Sequence, residues 1–234
     1  MSGRPVVVTP VIGLRELVAD TVRQRVADGV YRPGDRVVER QLASDLGISH
    51  IPVREALSAL AKEGLVERPP RRGARIAGLD SRTLAEITAV RTLVEQYVAV
   101  EVQRRLTDAD EIELRRFVAE MVSAAAETDT GQVLRCDRRF HEHIWLLADN
   151  SVLTQVASGL RARINGLQWA AYQPLGSAAL VEHARSHYAI IDAIAGSDED
   201  EARRVVAEHV EVAARRIEAS LTEPRPKVSA ARVL

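Results

Sequence analysis

The sequence has little of several things that would define other protein classes. Its 234 residues include one cysteine, Cys136, so no disulfide can form within the chain, which fits a reducing cytoplasm. No window approaches the ~20 apolar residues that a membrane-spanning helix needs, and the N-terminus lacks the apolar core of a signal peptide. We therefore expect a cytoplasmic protein without a membrane partner.

Aromatic residues are also scarce, at 3% of the chain, whereas hydrophobic residues make up 46%. A core must then be built mainly from Ala, Val, Leu and Ile, which favours closely packed helices over a sheet-rich fold. The length suits two domains.

The formal net charge of -1 conceals an uneven distribution of charge. Residues 1–78 hold 13 Lys and Arg against 9 Asp and Glu, whereas the remaining residues hold 19 against 24. A basic front and an acidic back favour a nucleic-acid-binding head on a body that does not bind nucleic acid.

The first 78 residues predict three helices and a two-stranded wing. Apolar spacing indicates a helix over 13–29, and the breaks at Pro33-Gly34, Gly47 and Gly64 separate two more, at 39–46 and 53–63. Ser49 can cap the third helix, whose first turn tolerates Pro52. Short strands are expected at 65–68 and 74–77. This order predicts a winged helix-turn-helix.

After residue 79 every segment predicts a helix. The expected helices cover 83–106, a stretch that begins at "TDADE", 132–148, 151–169, 178–195 and 198–221. Six helices in about 140 residues make an all-α bundle. We therefore expect a mainly α chain with a DNA-binding head at 1–78, a helical body at 79–222 and a disordered tail at 223–234.

The motifs of the head resemble those of a known family. The runs "PGDRVVERQLASDLGIS", "PVREAL" and "EGLV", with a glycine-tipped wing, are similar to the DNA-binding domain of the GntR superfamily of transcription regulators. The resemblance implies that Arg40 and Arg54 contact DNA and that the wing tip lies at the minor groove. An isolated surface arginine is more often simply solvated. The complete set of predicted DNA-binding residues is Arg40, Ser49, His50, Ile51, Pro52, Arg54, Arg71, Arg72 and Gly73.

The pair His50-Ile51 departs from the family, which commonly has Arg-Thr at these positions. Arginine can contact guanine through two hydrogen bonds, whereas a neutral histidine offers one bond per nitrogen and isoleucine offers only apolar contact. We therefore expect a different base preference with DNA binding retained. The alternative is that His50 faces a phosphate or water.

Five of the six histidines lie in the body. Asp137 and His141 are four residues apart on one helix face, and helices containing His187 and His209 follow. An Asp and three His in a bundle core suit a borderline divalent ion such as Zn²⁺, Ni²⁺ or Mn²⁺. His143 and His183 are predicted to be core or surface residues without a ligand role.

The same strings resemble the FCD ligand-binding domain of the FadR-like branch of this superfamily, and the resemblance implies Asp137, His141, His187 and His209 as metal ligands. It also implies a small organic acid as effector. Arg91, Asn150, Arg161 and Arg163 are candidates to bind its carboxylate, although a salt bridge to Glu95 explains Arg91 equally well.

Together these features predict a metabolite-responsive transcription regulator, with repression favoured, that binds an inverted repeat in double-stranded DNA as a homodimer. Two alternatives stay open. An Asp/His₃ site with open positions is compatible with a metal-dependent enzyme, although no general base stands at motif spacing. The metal can also be purely structural.

Overall fold

A computed structural model describes residues 13–69 and 72–222 of the chain. Nine helices and three short strands lie within these residues. The predicted disordered tail, 223–234, lies outside them. The elements are α1 (Leu14–Ala27), β1 (Arg36–Val37), α2 (Glu39–Leu46), α3 (His50–Lys62), β2 (Val66–Glu67), β3 (Ala74–Ile76), α4 (Ser81–Gln103), α5 (Asp108–Ala126), α6 (Thr130–Leu147), α7 (Ser151–Tyr172), α8 (Ser177–Ala195) and α9 (Glu199–Thr222).

The head is a winged helix-turn-helix, as predicted, with one strand more than the sequence suggested. The strands pair antiparallel in the order β1-β3-β2, and β1 is the added member. It has only two residues, too few for an alternating pattern to reveal. Behind the sheet and helices lies an aliphatic core that includes Val22, Leu42 and Leu57, each fully buried.

The third helix starts earlier than predicted, at His50. Pro52 therefore lies in the first turn, where its missing N–H costs no helical hydrogen bond. Ser49 occupies the N-cap position with extended backbone, but its side chain makes no capping hydrogen bond, so the predicted cap is wrong. Its hydroxyl is exposed and remains available to another partner.

The body is an all-α bundle of six helices, α4 to α9, within the described residues. Local signals start several of them: the Asp80 carboxylate accepts from the Thr83 N–H, and Thr107 and Asp110 form a reciprocal capping box. A second hydrophobic core fills this bundle and includes the aromatic residues Phe140, Trp145 and Tyr172. None of the described helices is both long and apolar enough to cross a membrane.

The head and body touch mainly through α1 and α7. Gly29, just after α1, lies so close to the Trp169 ring that a Cβ built there would be 2.3 Å from it. Gly64, just after α3, similarly lies near the Arg163 guanidinium, with 3.1 Å from a built Cβ to Nε. One helix of the body therefore contacts the chain segments that follow two helices of the head.

We expect Gly29→Ala to disturb this contact more than an equivalent change elsewhere. Gly29 has φ +70°, and the added methyl group would also collide with Trp169. Gly34→Ala is the matched control, because its φ of +89° imposes backbone strain but no atom lies within 4 Å of the added carbon. Chemical denaturation followed by Trp fluorescence should show a larger loss for Gly29→Ala, by about 1–3 kcal/mol. Equal losses would show that the contact is loose.

Candidate metal centre and DNA-binding surface

The four predicted metal ligands come together inside the body. Asp137 and His141 lie one turn apart on α6, while α8 supplies His187 and α9 supplies His209. One ligand atom from each lies within 4.8 Å of the others. Asp137, His141 and His187 are buried. Residues far apart in the sequence thus form one compact group of oxygen and nitrogen donors.

The orientation of His187 fits a metal ligand. Its Nδ1 lies 3.0 Å from the His183 carbonyl oxygen and 3.2 Å from that of Ala184. Carbonyl oxygens only accept, so Nδ1 carries a proton, and Nε2 faces Asp137 Oδ1, 3.0 Å away. A backbone carbonyl holding the far nitrogen is also the usual support of a metal-bound histidine.

A second sign is the orphaned nitrogen of His141. Its Nε2 is buried without a hydrogen-bond partner and lies 3.8 Å from Asp137 Oδ1. Buried polar atoms are rarely left unsatisfied. The donor set present therefore fits a divalent ion of the Zn²⁺, Ni²⁺ or Mn²⁺ type.

Burial and neighbouring charge keep these groups in the protonation states that bind metal. Burial, reinforced by the Arg161 charge, holds the pKa of His141 well below its ordinary value. Burial also lowers the pKa of His209 strongly, with help from neighbouring histidines. For Asp137 burial acts to raise the pKa, but Arg161 and the surrounding imidazoles outweigh it and hold the pKa well below its usual range. Neutral imidazoles and an ionised carboxylate are the ligand forms.

Arg161, a predicted effector-binding residue, contacts this group directly. It extends from α7 to Asp137 Oδ2 and is buried at 3% exposure. Its Nε and Nη1 have no hydrogen-bond partner. A buried guanidinium with free N–H groups can donate further hydrogen bonds, and an anionic or carbonyl oxygen is a suitable acceptor.

Arg91 forms the salt bridge that the sequence left as one of two possibilities. Its Nε lies 3.2 Å from Glu95 Oε1, and both side chains are buried. The other Glu95 oxygen accepts from Trp145 Nε1 at 3.0 Å. Both carboxylate oxygens of Glu95 therefore have partners, although the residue lies beside His141 and His209.

A narrow cavity adjoins His141 and His209. Its walls are largely aliphatic, with Glu95 as the acidic exception. The space open to a water-sized molecule is only ≈ 10 Å³, about one water. Anything larger must displace part of the wall.

The other two effector candidates have different contacts in this structure. The side chain of Asn150 caps α7 by accepting from the Leu153 N–H at 3.0 Å. Arg163 lies against Gly64 of the head. Asn150 follows Asp149, which has a positive φ, at a helix junction, a placement typical of a cap.

His183, which the sequence predicted to be a core or surface residue, also lies beside this group. It lies one turn before His187 on α8, is 4% exposed, and places Nε2 3.5 Å from Asp137 Oδ1. Burial lowers its pKa to about 4. Its spacing of four from His187 repeats that of Asp137 and His141, a signal available in the sequence.

On the head, the leading turn of α3 is open to solvent. His50 is exposed, and Ile51 and the Arg54 side chain are each 69% exposed. Arg40 on α2 is also exposed. Arg54 is held only loosely, with Nε 3.4 Å from Glu39 Oε2. A phosphate could therefore replace that contact at small cost.

The wing presents further arginines. Arg72 and Gly73 are exposed, and Gly73 has φ +76°, while Arg71 lies outside the described residues. Arg36 and Arg75, which are not among the predicted DNA-binding residues, are exposed and face each other across β1 and β3. Like charges directly opposite each other destabilise a sheet. A bound anion such as phosphate would therefore reduce the repulsion between these two arginines.

Comparison with known proteins agrees with this arrangement. Residues 14–76 match the family described as bacterial regulatory proteins, gntR family, and residues 86–212 match the FCD domain. The chain belongs to the GntR family of transcription regulators. It is a GntR-family protein with an FCD domain, as its motifs implied.

Its relatives include other bacterial regulators. It is 29% identical to the Nta operon transcriptional regulator of Aminobacter aminovorans over 77% of this chain and 83% of that one. It is 26% identical to McbR of Escherichia coli, covering 84% and 89%. The solved structure of E. coli McbR/YncC has the same fold, with a TM-score of 0.83 at 23% identity over 90% of this chain and 99% of that one. The matched family and these relatives are transcription regulators rather than enzymes.

The shifted histidine pKa values predict how stability depends on pH. The folded pKa of His141, His183 and His209 lies below 6.5, the ordinary value. The unfolded chain therefore binds more protons between about pH 6.5 and 4, and the free energy of unfolding of the metal-free protein should fall as the pH drops through that window. Each histidine contributes at most ~1.4 kcal/mol per pH unit.

Urea denaturation at several pH values would measure this slope. His183→Gln should reduce it, whereas His143→Gln, a change of a half-buried histidine on the other face of α6, should leave it unchanged. An equal slope in all three proteins would contradict the assignment.

Proposed function

We propose that this GntR-family protein is a metabolite-responsive repressor whose FCD domain binds a divalent metal ion and a small organic acid. The observation that carries the proposal is the Asp137, His141, His187 and His209 group, gathered within 4.8 Å in a body joined to a DNA-binding head. Relatives named as repressors include the gluconate operon repressor of Bacillus subtilis, 30% identical over 62% of this chain and 59% of that one. In this proposal residues 1–78 bind DNA, and residues 79–222 bind the effector and a second copy.

The proposed base-reading element is the exposed first turn of α3. His50 and Ile51 meet base edges in the major groove, and the hydroxyl of Ser49 and the charges of Arg40 and Arg54 hold phosphates. Pro52 fixes the start of the helix. The wing, with Arg71, Arg72 and Gly73, lies at the minor groove, and Arg36 and Arg75 join this phosphate-facing set.

The proposed metal supplies a positive centre to which a carboxylate oxygen can bind. Asp137, His141, His187 and His209 would hold it, which leaves octahedral positions for water or the acid. Arg161 then has a second role. Its free Nε and Nη1 would donate to the carboxylate of the acid, as charge-assisted hydrogen bonds.

The size of the cavity sets a condition on this binding. The present space beside His141 and His209 admits about one water, so an acid of several carbon atoms must push neighbouring side chains apart. The lining of this space comes from α4, α6, α8 and α9. The proposed route to the head therefore runs through Arg161, which binds the acid and projects from α7 together with Arg163 and Trp169. Arg161 contacts the metal group, whereas Arg163 and Trp169 contact the head at Gly64 and Gly29. A shift of α7 on acid binding would therefore move the contacts that set the head.

We further propose that the protein works in the cytoplasm as a homodimer on an inverted repeat. Val90, Leu93 and Tyr97 form an exposed apolar row along one face of α4. Such a row is typical of a subunit contact, and two heads related by a twofold axis read a palindromic site. A purely structural metal remains the second candidate, favoured by the small size of the cavity.

Selection of bound DNA from a random pool would test the DNA-binding proposal. His50→Arg should shift the selected site toward guanine at one position in each half-site, since arginine makes a bidentate contact worth ~1–3 kcal/mol. The control Lys62→Arg changes the far end of the same helix and should select the wild-type site. Identical sites for wild type and His50→Arg would refute a base-reading role, and a selected site without inverted symmetry would refute the dimer.

Operator binding followed by fluorescence anisotropy would test the effector proposal. With metal bound, some member of a panel of small carboxylic acids should change operator affinity by about 5–150-fold. His187→Ala should abolish the response by removing the metal. Arg161→Gln should abolish the response to acid while metal still binds, and His143→Ala should retain both. If metal binds but no acid alters operator affinity, the metal is structural.

A further inference from the structure

A fourth histidine belongs to the group around Asp137. His183 and His187 are four residues apart on α8 and face Asp137 and His141, which are four apart on α6. The Nε2 atoms of His141, His183 and His187 lie 3.8, 3.5 and 3.0 Å from Asp137 Oδ1. Three imidazoles thus converge on one carboxylate oxygen, and His183 lies closer to it than His141 does.

The surroundings of His183 leave its Nε2 without another role. The residue is 4% exposed, and Nε2 is buried without a hydrogen-bond partner. On the far side of the ring, Nδ1 lies 3.5 Å from the Tyr172 hydroxyl. A polar group behind the ring and a free nitrogen toward the donor group are what an imidazole ligand requires. Buried polar atoms are rarely left unsatisfied.

The spacing also agrees with shared coordination. Donors bound about 2.1 Å from one octahedral ion are roughly 3.0 Å apart when adjacent and roughly 4.2 Å apart when opposite. The 3.5 Å between His183 Nε2 and Asp137 Oδ1 lies in this range. The ring of His183 is 5.0 Å from that of His187 and 6.2 Å from that of His209, so it borders two of the other ligands.

We propose that His183 Nε2 is a fifth protein ligand of the metal, so that the site is Asp/His₄. This inference rests on the metal site of the proposed function. Five protein ligands leave one position of an octahedral ion open. The acid would then bind the ion through a single carboxylate oxygen, and its second oxygen would accept from the free N–H groups of Arg161.

Cadmium-113 bound to protein carrying ¹⁵N-labelled histidine provides a direct count of ligands. Each nitrogen bound to the ion shows a scalar coupling to ¹¹³Cd, and resonances can be assigned by single substitutions. The full chain loaded with Cd²⁺ alone should show four coupled histidines. His183→Gln should show three and bind Cd²⁺ about 10–100-fold more weakly, while His143→Gln should show four with unchanged affinity.

The possible results separate this inference from the proposal beneath it. Three coupled histidines in the wild type, with His183 uncoupled, would overturn the fifth ligand while leaving the metal site intact. No coupled histidine would overturn both. Because His183→Gln can also lose affinity through misfolding, the coupling pattern of the wild type decides the question, and circular dichroism of the metal-free variant checks that it folds.

Discussion

The buried carboxylate of Asp137 is the interaction on which the body depends. It receives Arg161 from α7 on one oxygen and faces His141, His183 and His187 from α6 and α8 on the other. An ionised group at 1% exposure is tolerated only when its partners are complete. The helices that supply those partners are therefore held at one relative setting, and a cation among them would satisfy the nitrogens that the protein alone leaves unpaired.

The contact between Asp137 and Arg161 also links the body to the head, because Arg161 lies on α7 and α7 packs against the head. On α7, Arg161 contacts the Asp137 carboxylate. Further along the same helix, Trp169 occupies space beside the head that is open because residue 29 is a glycine. A helix is stiff over this length and passes on displacement rather than absorbing it. Arg161 at the centre of the bundle and Trp169 at the contact with the head thus lie on the same helix, α7. In the proposed function, this continuity would let an effector alter DNA affinity without touching DNA.

The proposed DNA-binding surface of the head depends on different interactions. Its scaffold is an aliphatic core, and its exposed residues have only weak contacts with the rest of the protein, as the 3.4 Å approach of Arg54 to Glu39 shows. Weakly held charge can be transferred to phosphate at little cost. In the proposed function, base preference depends on His50 and Ile51, which differ from the arginine and threonine common in the family.

The sequence by itself determined the order of elements, because helix periodicity, glycine stops and acidic first turns are local signals. It also indicated Asp137, His141, His187 and His209, since i,i+4 spacing and family motifs are visible along the chain. It did not reveal strand β1, whose two residues carry no pattern. Only the tertiary structure decided that Arg91 pairs with Glu95, that Asn150 caps α7, that Arg161 alone of the candidate cations contacts the Asp137 carboxylate, and that His183 faces it too. Those outcomes depend on which helix faces meet across the bundle, and that is fixed by packing between residues distant in the chain.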